Sequence, residues 1–160
     1  MKIGVTGHRR LPDPAAWAWV ERAIEAALVP VSPPLVGVTS LAAGADQIFA
    51  RVVARRGGSI HAVLPFPDYE RTMVGEELSH YRDLLSLAAA VETLDIGGAD
   101  EDGYLAAGER VVRLSDRIFA IWDGEPARGK GGTGDIVVYA VNLGVPVVHI
   151  NPIARSVSDR

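Results

Sequence analysis

No cysteine occurs in these 160 residues, so neither a disulfide nor a thiolate metal site can hold the fold together, and nothing points to an oxidising compartment. Runs of lysine or arginine are also missing, and the formal net charge is -4. That balance exerts little pull on polyanions or anionic lipid, so neither nucleic acid nor membrane is expected as a partner. No apolar stretch reaches membrane-spanning length, and Met1-Lys2-Ile3 enters a strand pattern without the regions of an export leader. A cytoplasmic protein is expected. His8, His61, His80 and His149 show no paired ligand spacing, which argues against zinc, and no serine stands in a nucleophile-elbow pattern.

What the chain does have is alternation. Short β-branched runs at Ile3 to Val5, Leu35 to Val38, Ile60 to Leu64, Val91 to Leu94, Ile118 to Trp122 and Val145 to Ile150 read as strands. Between them lie helical patterns at Ala15 to Leu28, Ala45 to Ala54, Glu76 to Ala89, Asp102 to Leu114 and Gly134 to Asn142. Such alternation predicts an α/β fold of three layers, a Rossmann-like, mostly parallel sheet of about six strands with helices on both faces. With 48% hydrophobic residues the length suffices for one domain, residues 1–150, followed by a tail at 151–160 that loses all periodicity and is expected to fray.

In an open parallel sheet, ligands gather outside the carboxyl ends of the strands. The segment D-G-E-P-A-R-G-K-G-G-T-G-D, from Asp123 to Asp135, leaves a strand and opens a helix. Its glycines allow positive φ and close approach, and the helix start offers unpaired amides, so Lys130, Gly131, Gly132, Thr133, Gly134 and Asp135 are candidate phosphate contacts. Asp135 introduces a conflict, because a carboxylate at that helix start repels phosphate. A ribose hydroxyl or a Mg2+ accompanying the ligand would resolve it; the alternative is that Asp135 simply satisfies the helix start.

Two more loops leave the same sheet edge. After the first strand, Gly7 would turn the chain under a ligand, His8 would donate a hydrogen bond and Arg9 would offer its fork to phosphate, unless the three basic residues form only a solvated knuckle. After the second, Ser40 offers a hydroxyl, Gly44 a close helix start, and Asp46 either a ligand contact or an N-terminal cap. The third loop adds Pro65 and Tyr69 as base or ribose contacts, with Phe66 read as core, and Asp123 stands where a carboxylate can meet a ribose or merely form a turn.

Taken in order, T-G-H-R, S-L-A-A-G-A-D, L-P-F-P-D-Y and G-K-G-G-T-G-D resemble the SLOG superfamily, and more closely the Rossmann-like bacterial proteins grouped with molybdenum-cofactor carriers. The similarity runs from Ile3 to Ile150. It implies a domain that binds nucleotides or their derivatives and forms a homodimer or higher homo-oligomer; the superfamily also holds the LOG phosphoribohydrolases and DprA. The LOG pattern P-G-G-x-G-T-x-x-E is kept in part. Gly131, Gly132 and Gly134 match, but Lys130 replaces the proline, Asp135 the threonine and Val138 the glutamate that assists N-glycosidic cleavage.

Other phosphate-binding signatures fit less well. One glycine, Gly7, follows the first strand where a dinucleotide fingerprint needs three, and Asp135-Ile136 stand where a nucleotide-triphosphatase loop needs lysine and serine or threonine. The expected function is binding of a nucleotide-type ligand without strong catalysis. Alternatives are LOG-like cleavage or transfer, with Asp135 or Asp123 as the acid–base group, and carriage of a pterin cofactor.

Overall fold

The β-branched runs form strands and the longer amphipathic stretches form helices, which cross between parallel strands of one sheet. In the computed structural model, which describes residues 1–160, the strands are β1 (Lys2–Gly7), β2 (Val36–Thr39), β3 (Ser59–Leu64), β4 (Ala90–Thr93), β5 (Arg117–Ile121), β6 (Val147–Asn151) and β7 (Ser156–Asp159). The helices are α1 (Ala16–Leu28), α2 (Ala45–Arg55), α3 (Gly75–Leu87), α4 (Asp100–Leu114) and α5 (Thr133–Asn142), with a 3-10 turn at Tyr69–Thr72.

The strands lie in the order β4-β3-β2-β1-β5-β6-β7. The first six run parallel, and β7 pairs antiparallel with β6. Chain order reverses between β1 and β5, where Gly7 stands opposite Ile121. Side chains alternate accordingly. Ile3 and Val5 of β1 pack with Ile24 of α1 and Phe49 of α2, whereas Ile118 and Ala120 of β5 turn to the other face against Val111 of α4 and Ile136 of α5. Tyr81 and Leu84 of α3 cover Ile60 and Leu64 of β3. The three-layer α/β architecture expected from the alternation is therefore present.

The sheet has seven strands rather than six, and the expected fraying tail is corrected by β7, whose Ser156 to Asp159 pair with Asn151 to Val148. All four β7 residues are exposed. Backbone pairing alone holds them, and such a strand leaves no hydrophobic pattern in the sequence. No helix is long and apolar enough to cross a membrane.

Candidate ligand-binding cleft

Because β1, β2, β3 and β5 are parallel, their carboxyl ends deliver four loops to one edge. The β1 loop is tied to β5 by the His8 amide donating to the Ile121 carbonyl (3.0 Å), and to α2 by the Ala45 amide donating to the His8 carbonyl (3.1 Å). Gly44 makes that second tie possible. Its φ is +79°, and a Cβ there would lie 2.7 Å from the carbonyl oxygens of both His8 and Arg9. The result is a cleft of about 400 Å³, the size of small-ligand sites.

Gly7, His8 and Arg9 line it from the β1 loop, Ser40 and Asp46 from the β2 loop, and Pro65 and Tyr69 from the β3 loop. The β5 loop contributes Asp123 and the run Lys130, Gly131, Gly132, Thr133 and Gly134. Gly44 braces the cleft without lining it, and Asp135 does not line it. The remaining wall, formed by α4, has no local signal in the sequence. Tyr104, Ala107 and Gly108 face the cleft there, and only the tertiary fold places a helix that precedes β5 against the loop that follows it.

At the start of α5, the Asp135 and Ile136 amides donate to the Gly132 carbonyl (3.0 and 3.3 Å), and the Gly132 amide donates to Gly129 (3.0 Å). The Thr133 and Gly134 amides donate to no protein acceptor. The conflict expected of Asp135 is resolved by direction: its Oδ2 accepts the Gly131 amide (3.1 Å), away from the cleft. No three His, Asp or Glu side chains converge to hold a metal ion. Of the loop glycines, Gly124 (φ +90°) and Gly131 (φ +78°) lie in the left-handed region, and a Cβ on Gly131 would lie 2.6 Å from the Leu105 amide nitrogen of α4.

Arg9 is exposed, its guanidinium 4.6 Å from the centre of the Tyr104 ring, and it pairs with no carboxylate. The other cations of the cleft are engaged: Lys130 pairs with Asp102, and Arg128 lies 3.9 Å from Asp123. Below Tyr104 runs an aromatic row, with Phe66 5.6 Å from Tyr104 and 5.7 Å from Tyr69.

The carboxylates divide into two kinds. Burial pushes the Asp123 carboxyl up, but the Glu125 amide, His8 and Arg128 together outweigh it and hold it below the usual range. Asp123 is thus ionised at neutral pH and accepts rather than donates protons. His8 Nε2 lies 3.1 Å from the Asp123 amide nitrogen and 3.4 Å from Asp123 Oδ1, so one ring nitrogen meets both the backbone and the side chain of Asp123. Asp46 is the opposite case. Burial raises it from 3.8 to about 6, against the Thr39 hydroxyl, the Ser40 amide, Arg9 and the Ala42 amide. Its Oδ2 accepts both the Thr39 hydroxyl (2.9 Å) and the Ser40 amide (3.0 Å). The capping role expected for Asp46 is therefore replaced by one in the loop before its helix.

The fold is similar to that of DNA processing protein A. The Streptococcus pneumoniae protein matches with a TM-score of 0.67 and 18% identity over 92% of this chain and 49% of its own. The Helicobacter pylori protein, described for its single-stranded DNA binding mode, matches at 0.62 and 17% over 93% of this chain and 64% of its own. TM1055, a structural genomics target, matches at 0.57 and 15%, over 91% and 71%. The chain thus spans about half the length of the pneumococcal protein. No protein-family model and no curated protein sequence matches it. At these identities the likeness is one of fold, which agrees with the Rossmann-like architecture that the SLOG resemblance implies.

One expectation is overturned. A fold shared with a protein that binds single-stranded DNA removes the ground for excluding nucleic acid as a partner. The exclusion rested on a net charge of -4, which averages over the whole surface and does not describe how charge is placed at any one site.

Proposed function

We propose that the cleft binds a nucleotide or nucleotide-derived ligand, with phosphate held by the Thr133 and Gly134 amides and the Arg9 guanidinium. One observation carries this reading: two residues whose amides have no protein acceptor, at the start of a helix, line the same cleft as an arginine without a carboxylate partner. The place is also where chain order reverses, between β1 and β5. Binding without strong catalysis is the favoured form. Asp135 is turned away from the cleft, and Val138, at the position of the LOG glutamate, is 59% exposed.

Calorimetric titration with AMP, ADP-ribose, NAD and inorganic phosphate tests the reading. Micromolar binding of at least one nucleotide, abolished in Gly132→Glu, is the expected result; no binding by any of them refutes it. A second reading is that the cleft takes one unit of a single-stranded oligonucleotide, which the fold of the Helicobacter pylori protein favours. Fluorescence anisotropy of a labelled oligonucleotide, displaced by AMP, would establish it, and no change in anisotropy would remove it.

A further inference from the structure

The floor of the cleft carries two polar groups that the phosphate reading does not use. Asp46 is 6% exposed and Tyr69 3% exposed, and both line the cleft. Asp46 Oδ2 accepts from the Thr39 hydroxyl and the Ser40 amide, and no protein donor is within hydrogen-bond geometry of Oδ1, although the Ala42 amide is near enough to the carboxylate to favour its charge. The Tyr69 hydroxyl has no hydrogen-bond partner in the protein, although it lies close enough to Asp46 and Arg9 to feel both charges. Neither atom is sealed from the cleft, since no buried side-chain polar atom is left unpaired. Burial raises the Tyr69 phenol, so it stays protonated and donates. Asp46 is mainly ionised above pH 6 and accepts.

A donor and an acceptor lining one cleft, both held by packing, match a group that can accept and donate at once. An alcohol does this; phosphate cannot, because it brings a second negative charge to Asp46. We infer that Asp46 and Tyr69 form a hydroxyl-reading subsite that selects the sugar of the ligand, the Asp46 carboxylate accepting a ribose O–H and the Tyr69 phenol donating to the same diol. The inference rests on the nucleotide reading above and sharpens it to 5′-phosphorylated ribosides. Asp46, read from the sequence as either a ligand contact or a helix cap, is thereby assigned to the sugar. Each partner is fixed. Tyr69 stands edge-on to Phe66 and to Tyr81 (5.7 and 5.6 Å), and Asp46 is anchored by Thr39 and Ser40.

The experiment compares AMP with 2′,3′-dideoxy-AMP by calorimetry at pH 7.5, with inorganic phosphate as the probe of the anion end. The intact protein should prefer AMP by tenfold or more, because removing the diol leaves a buried charged acceptor unpaired. Asp46→Asn and Tyr69→Phe, which keep shape and packing, should each bring AMP down toward the dideoxy level while phosphate affinity stays the same. Equal affinity for the two nucleotides, or an AMP preference that survives both substitutions, overturns this inference and leaves the nucleotide reading intact. Failure of both nucleotides to bind removes the two together.

Discussion

Asp46→Asn provides the sharpest test of the cleft's electrostatics without any ligand. The Asn side-chain oxygen can still accept from the Thr39 hydroxyl and the Ser40 amide, so the local hydrogen bonds survive while the charge is lost. In the folded protein the carboxyl titrates at about 6, against 3.8 when unburied, so the native state holds the proton more tightly than the unfolded state between those values. Stability conferred by this group is therefore full below about pH 4 and falls as pH rises toward 6. Roughly two pH units at about 1.4 kcal/mol each amount to about 3 kcal/mol. Urea unfolding at pH 4.5, 5.5, 6.5 and 7.5 should show Asp46→Asn gaining on the unsubstituted protein as pH rises, until it is the more stable of the two at pH 7.5. At about 2–4 °C per kcal/mol for a chain of this size, the melting temperature should separate by up to about 10 °C. A difference that does not change between pH 4.5 and 7.5, or a variant less stable at pH 7.5, would show that burial does not govern Asp46.

Arg9→Ala should weaken phosphate or AMP by tenfold or more in calorimetry while leaving the urea midpoint unchanged, since Arg9 is exposed and joins no ion pair; Arg9→Lys should recover only part, lacking the planar fork that stacks on Tyr104. Gly131→Ala should cost about 2–4 kcal/mol of unfolding free energy and abolish binding, because it forces positive φ on a side chain and drives its Cβ into the α4 backbone at Leu105. Asp135→Ala frees the Gly131 amide and should cost about 1 kcal/mol of stability while sparing AMP affinity. A tenfold loss of affinity there would mean that Asp135 faces the ligand after all.

The sequence reveals the strand tips because burial on both faces of a parallel sheet demands apolar β-branched runs, and those runs stop where the loops begin. Ile3 to Val5 and Ile118 to Trp122 locate β1 and β5, and with them the place where His8 and Asp123 meet. β7 lies beyond such reading, since all four of its residues are exposed and no side chain needs to be apolar. The α4 wall is equally silent. Tyr104 and Gly108 sit in an ordinary amphipathic helix, and nothing local records that one supports Arg9 and the other lies against Ile136.

Asp46 and Asp135 show why residue type and position were not enough. Both are acids in the first turn of a helix that follows a glycine-containing loop, and a dipole argument treats them alike. What separates them is the path of the preceding chain. Gly131 at φ +78° turns its amide back to Asp135, which spends that carboxylate outside the cleft. Gly44 at φ +79° instead braces its loop against His8 and Arg9, and Asp46 reaches Thr39 and Ser40 through one oxygen while the other is left at the cleft floor. Both glycines have a left-handed φ, yet the two carboxylates end differently, so the charge that matters to a ligand is decided by which backbone amide each carboxylate meets first.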